Sequence, residues 1–295
     1  MLFKKGSKGQ EVVELEKALG IDADGIFGSD TESAVKTIQR ENALVADGIV
    51  GPQTLAAIQR ANATTDNTEK VYAPYPGLLV NKYFLPDGEY KKGPTPKDYL
   101  FLHHTAGWNN PYNTVDGWAN DNRGPIATEF VLGGRSVKGN DDRYDGELVQ
   151  CVPEGGHGWH LGKNGSQHMH MHSVAIEVCN FSYAVDGKTY VNVPITNDQI
   201  VKLPNPFRGH SHWHAYSDKQ LEILKLFILW IAERDSIDVR DGIVAEIKTK
   251  GAQAFDFNEN AYYGRIKGMW THANVRKDKY DLFPQPNLID MLLSL

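Results

Sequence analysis

The chain has 295 residues, 41% of them hydrophobic and 23% charged, with 31 basic against 37 acidic side chains and a formal charge of −6. That composition is ordinary for a globular protein, and the missing cationic surplus leaves no field to grip a phosphate backbone, so nucleic acid is not an expected partner. Residues 1–10 lack the apolar stretch of a secretory signal, and the apolar run 226–232 is far short of the roughly 20 residues that span a bilayer. Synthesis in the cytoplasm without a signal peptide, no membrane insertion and a monomeric state are the expectations. Cys151 and Cys179 cannot build a disulfide framework and are expected as free buried thiols.

In chain order, the first feature is an internal repeat. Asp24-Gly25-Ile26-Phe27-Gly28 recurs as Asp47-Gly48-Ile49-Val50-Gly51, and each copy runs into a helix-like segment. Asp-Gly supplies a tight turn, and Ser29 or Pro52 suits a helix start. Upstream, Val12, Leu15 and Leu19 form the apolar stripe of another helix, with Glu11, Glu14, Glu16 and Lys17 between them. Residues 1–60 are therefore predicted to be a small all-α three-helix domain. Residues 61–77 lack periodicity, carry two prolines and read as a linker. Residues 78–295 form the larger domain. Strand-like segments at 99–105, 128–132, 148–152 and 173–179 precede a helix over 217–231, where Ser217 and Gln220 are placed as a capping box. The mixture predicts an α/β domain with a mixed central sheet flanked by helices.

Three segments of that domain carry chemistry. In the strand ending Leu102-His103-His104, alternate side chains face opposite ways, so only one histidine can reach a given site. In the strand 173–180, Glu177 lies between the small Ala175 and Cys179 on one face, either a solvated charge or a base held in a pocket. In the segment 270–284, Lys279 and Asp281 share a face when extended, and a loop could bring His272 back to Asp281. Taken alone, the two histidines read first as satisfied polar residues at a strand end and the 270–284 segment as a charged solvated loop. Together, His103, His272 and Asp281 supply the three protein ligands that a catalytic zinc uses while keeping one position open for water. Zinc acidifies such water toward a pKa of about 7; Glu177 is then suited to take its proton and Lys279 to stabilise an oxyanion.

Leu-His-His-Thr-Ala-Gly, Gly158-Trp159-His160-Leu161-Gly162, Val-Ala-Ile-Glu-Val-Cys-Asn and Thr-His followed by Lys-Tyr-Asp occur in the order seen in the zinc-dependent N-acetylmuramoyl-L-alanine amidases, which residues 99–295 resemble. That family includes phage endolysins. The resemblance implies Zn²⁺ held by His103, His272 and Asp281, Glu177 and Lys279 as catalytic residues, and a substrate-facing or site-supporting role for His160. This chain departs from the pattern where Leu282 and Phe283 separate Asp281 from Pro284, a proline that the family usually places directly after the third ligand. Asp278 is the alternative ligand.

The repeat, over about residues 6–60, resembles the small three-helix peptidoglycan-binding module; a generic helical interaction domain is the plainer reading. Residues 1–60 hold 7 basic and 9 acidic groups, which argues against DNA. The two resemblances imply a peptidoglycan hydrolase, expected to be a phage lysis enzyme acting on the bacterial wall after release. A non-catalytic peptidoglycan-recognition protein and a zinc peptidase cutting within the stem peptide are the alternatives. Two further clusters are given no role in the site: His168, His170 and His172, which an extended chain would stack on the face opposite Glu177, and His210, His212 and His214, expected in a surface loop.

Overall fold

The computed structural model of the chain describes residues 2–19, 21–42, 44–63, 71–93, 96–162 and 166–295. The chain divides into two compact units, residues 1–70 and 71–295.

The first unit contains helices α1 (Gln10–Ala18), α2 (Ser29–Glu41) and α3 (Pro52–Ala63) around a core of Val12, Leu15, Phe27, Val35, Val50 and Ile58. The repeat is structural as well as sequential. The buried carboxylate of Glu16 accepts the Gly25 N–H (2.8 Å) and the Thr31 hydroxyl (2.8 Å). One repeat later, the buried amide of Gln39 accepts the Gly48 N–H (2.8 Å) and reaches Thr54 (3.2 Å). Both turn glycines have positive φ, 76° and 75°, as an Asp-Gly turn requires. Glu16, read from sequence as part of a polar stripe, is thus an internal fastening of the first turn.

The second unit is built on a seven-stranded sheet. Its strands are β1 (Val71–Tyr75), β2 (Leu78–Lys82), β3 (Tyr99–His104), β4 (Phe130–Leu132), β5 (Leu148–Gln150), β6 (Ser173–Val178) and, far along the chain, Gly268–Thr271. Intervening ribbons are β7 (Ala184–Val185) with β8 (Lys188–Thr189) and β9 (Ile200–Phe207) with β10 (His210–His214), so Gly268–Thr271 is β11. The sheet order is β1-β2-β5-β4-β6-β3-β11; β4, β6, β3 and β11 run parallel, and β5 is antiparallel to β4. Strands buried on both faces need continuous apolar runs, as Leu100-Phe101-Leu102 and Val174-Ala175-Ile176 provide. The helices are α4 (Pro111–Ala119), α5 (Gln167–Met171), α6 (Asp218–Asp235), α7 (Ile243–Lys250), α8 (Glu259–Tyr262), α9 (His272–Val275) and α10 (Pro286–Leu293). α6 packs Phe227, Ile228 and Ile231 into the main core, while Tyr112 and Val115 of α4 pack with Val131, Val149 and the free thiols of Cys151 and Cys179. The capping box of α6 is present, with both Ser217–Gln220 bonds formed.

Three sequence expectations need correction. Residues 61–77 are not a linker throughout: α3 runs to Ala63, and β1 forms the sheet's edge, with the Tyr72 hydroxyl donating to Gln150 (2.8 Å). An edge strand tolerates Pro74, the residue that argued against a strand there. The part at 64–70 lies outside the described residues. Residues 168–171 are helical rather than extended, because Ser166 caps the Met169 N–H (3.1 Å) and starts a turn. His210, His212 and His214 lie in a paired strand, not a loop, and His214 is buried.

Immediately before β4, Glu129 is buried with one carboxylate oxygen accepting the Ala175 N–H (2.7 Å) and the other without a partner. Burial pushes its pKa up to about 7, against the opposing pull of Lys97. An acid whose folded pKa is raised contributes stability below its unfolded value near 4.5, and that contribution is lost as pH rises to about 7. The melting temperature of the chain is therefore expected to fall between those pH values. Glu129→Gln should flatten that fall and stabilise the chain by up to about 3 kcal/mol at pH 8. Parallel pH profiles for the two proteins would refute the assignment.

Candidate metal centre

The C-terminal ends of β3, β6 and β11 meet at one edge of the sheet, where open α/β sheets place their ligands. His103 on β3 is the register partner of Glu177 on β6, and Thr271 on β11 is the partner of Leu102. His272 follows immediately as the first residue of α9, whose capping box is formed by Thr271 and Asn274. Asp281 returns to the same place because its carbonyl accepts the Ala273 N–H (2.7 Å).

His103, His272 and Asp281 form one buried group of potential ligands. Asp281 Oδ2 lies 3.4 Å from His103 Nδ1 and 3.0 Å from His272 Nδ1, and the two rings are 4.4 Å apart between centroids. Tetrahedral zinc ligands at bonds of about 2.0–2.1 Å stand about 3.3 Å from one another, so these separations suit a metal. His103 Nδ1 is buried without a hydrogen-bond partner, a deficit that an ion can relieve. Burial, aided by neighbouring His272, holds the pKa of His103 down to about 4, keeping the imidazole in its neutral, ligating form. For Asp281 burial works in the opposite direction, yet the neighbouring His272 prevails and holds its carboxyl well below the usual range.

His160 stands behind His103. His103 Nε2 and His160 Nδ1 are 3.0 Å apart, and His160 Nε2 lies 2.7 Å from Ser173 Oγ. One tautomer set satisfies the chain: His103 donates from Nε2, His160 accepts at Nδ1 and donates from Nε2 to Ser173. His103 Nδ1 is then a lone pair facing Asp281 and His272. Contacts behind a metal ligand fix its ring and tautomer. His160→Ala is accordingly expected to weaken metal affinity about 10–100-fold in competition against a chelator; unchanged affinity would show that His103 needs no such support.

Glu177 lines the same groove, with Oε2 buried and unpartnered. Burial pushes its pKa well above the usual carboxylate value, Asp281 adds to the rise, and Lys279 opposes it. Lys279 is half-buried on the groove wall. The groove, of about 1020 Å³, is also lined by Trp118, Arg123, Trp159, Tyr190 and Arg276. His104 faces away from the group and places Nδ1 2.7 Å from the Tyr216 hydroxyl, as strand alternation requires. Asp278 is turned to Arg276 (2.6 and 2.7 Å), which holds its carboxyl at about 2, and it is not part of the ligand group. Leu282 and Phe283, the departure noted in the sequence, are fully buried; Phe283 stacks on Trp213 and Tyr216 at 4.5 and 4.7 Å. They anchor Asp281 into the core. Ser173, Tyr216 and Arg276 were not singled out from sequence; only the polar Ser173 at the head of an apolar strand gave any signal.

Two imidazoles and a carboxylate thus gather at the parallel strand ends of a mixed α/β sheet, a group able to hold a metal ion, with the half-buried Glu177 beside them. Residues 93–281 match the family model described as "N-acetylmuramoyl-L-alanine amidase", and the chain belongs to that family. Residues 8–58 match a model described as "Putative peptidoglycan binding domain". Two proteins of Bacillus licheniformis, a "Probable N-acetylmuramoyl-L-alanine amidase" and "N-acetylmuramoyl-L-alanine amidase CwlL", are each 33% identical, over 106 and 105 residues. The matches cover 33% and 32% of this chain but only 27% and 28% of those relatives, little more than a quarter of their length. Among solved structures, the Ph2119 endolysin from a Thermus scotoductus bacteriophage is 12% identical with a TM-score of 0.34, covering 70% of this chain and 92% of its own.

Proposed function

We propose that the chain is a peptidoglycan hydrolase that cleaves the amide between the lactyl group of N-acetylmuramic acid and L-alanine, with Zn²⁺ held by His103, His272 and Asp281. The single observation that carries this reading is the convergence of those three side chains, from separate parts of the sequence, beside the half-buried Glu177, whose Oε2 is buried. A Zn²⁺ held by these three residues would supply Lewis-acid polarisation of water and the scissile carbonyl. Glu177 accepts the proton of the attacking water, since a carboxylate with a raised pKa suits proton transfer near neutral pH, and then passes it to the leaving amine of L-alanine. Lys279 supplies a positive charge on the groove wall for the oxyanion of the tetrahedral intermediate. The bond broken is C–N; water supplies hydroxyl to the acid product and a proton to the amine.

The N-terminal unit, on this reading, holds the polymer. A tethered catalytic domain then works at a raised local substrate concentration, so weak wall affinity is enough. Phage-type lysis is the biological role that this pairing fits. Mass spectrometry of digested sacculi tests the cleavage: zinc-loaded protein should release intact stem peptides with a free L-alanine amine. Fragments cut within the stem would make it a peptidase instead, and no release at all would favour a recognition protein.

A further inference from the structure

We propose that Asp98, His168 and His172 form a second divalent transition-metal site, separate from the groove and sharing no residue with its centre, that ties α5 to the start of β3. The ligand atoms of these three side chains lie within 4.8 Å of one another. His168 on α5 and His172, its C-terminal cap, are four residues apart and therefore share one helix face. Their rings stack at 4.1 Å with an interplanar angle of 23°. His172 Nδ1 lies 2.7 Å from the Pro96 carbonyl, which can only accept; Nδ1 must carry the proton, and Nε2 is left as a lone pair. A ring nitrogen fixed by a backbone carbonyl is the usual second contact of a ligating histidine.

Asp98 divides its oxygens. Oδ1 accepts from Lys267 Nζ at 2.8 Å, while Oδ2 faces His168 Nε2 at 4.0 Å, too far for a hydrogen bond. The His168 side chain is 60% exposed, so a small rotation can bring Nε2 to ligating range of an ion beside Oδ2. Two imidazoles and one carboxylate suit zinc-like ions, whereas magnesium and calcium favour oxygen donors. The backbone already joins the same elements, since the His172 carbonyl accepts the N–H groups of Asp98 (2.7 Å) and Tyr99 (3.1 Å). An ion there clamps the outer face of α5, whose His170 accepts the His160 N–H on the inner side (3.2 Å).

Equilibrium dialysis of the full chain against excess Zn²⁺ tests the site. Wild-type protein should take up one more equivalent than either His168→Gln or His172→Gln, and added zinc should raise its melting temperature further than theirs. His168→Gln alters an exposed side chain and should fold and melt like wild type without added metal. Equal uptake by wild type and both variants, or an equal zinc-induced rise in melting temperature, would overturn the proposal. Because the groove ligands are untouched, failure here leaves the groove reading as it stands.

Discussion

Glu177→Gln is expected to lower the release of stem peptides by roughly 10²–10⁴-fold, the usual worth of a positioned acid–base group, with metal content unchanged. The substitution keeps the size and polarity of the side chain and removes its ability to take a proton. A purely structural role for Glu177 makes the opposite forecast about stability. Its Oε2 has no partner to lose, and burial raises its pKa well above the ordinary value. A raised acid contributes stability at low pH that disappears as pH climbs past the folded value, so above that value the native chain carries a charge, unpartnered at Oε2, that Gln lacks. Glu177→Gln should therefore melt at the same temperature as wild type or higher, the pattern of a residue kept for chemistry at some expense in stability. Full activity in the variant would remove Glu177 from the proton transfer, whatever its melting temperature.

The parts of the fold legible in the sequence were those specified by neighbours along the chain. The Asp-Gly turns, the capping box of α6 and the apolar runs of β3 and β6 each depend on residues a few positions apart. β1 was obscured by Pro74, which reads as a strand breaker until the strand is known to be an edge. α5 was hidden by the alternation of His and Met, a period-two pattern that one capping serine overrides. The same division runs through the site. Residue type and order point to His103, Glu177, His272 and Asp281, because few side chains can ligate a metal or hold a proton. Their supports are set by tertiary contact: His160 reaches His103 across 57 positions, and Tyr216 reaches His104 across 112. No local pattern encodes such a distance. Glu16 and Gln39 show the converse. Their repeat-related roles could be read from the identical nine-residue interval to Gly25 and Gly48, had burial rather than polarity been assumed.

Asp281→Ala is expected to strip the centre of its ion on dialysis and to reduce activity by about 10³-fold or more, the several kcal/mol that a Lewis acid contributes to such a reaction. Asp281 is the only anion among the three candidate ligands, and both imidazoles approach the same oxygen, Oδ2. Without it, two imidazole rings remain, too few for a closed set of three. The metal-free protein should weaken too. The carboxyl is held well below its ordinary pKa, so it contributes stability above its unfolded value that is lost only as pH falls through the folded one. Neutral-pH denaturation should therefore show metal-free Asp281→Ala to be less stable than metal-free wild type, a difference that shrinks on acidification. Asp281→Cys separates ligation from packing, because a thiolate is a competent zinc ligand on a side chain of similar reach. Cys at this position should recover bound metal where Ala does not. Metal retained by Asp281→Ala at wild-type affinity would mean that the third ligand lies elsewhere, and Asp278, released from Arg276, would be the acid to test next.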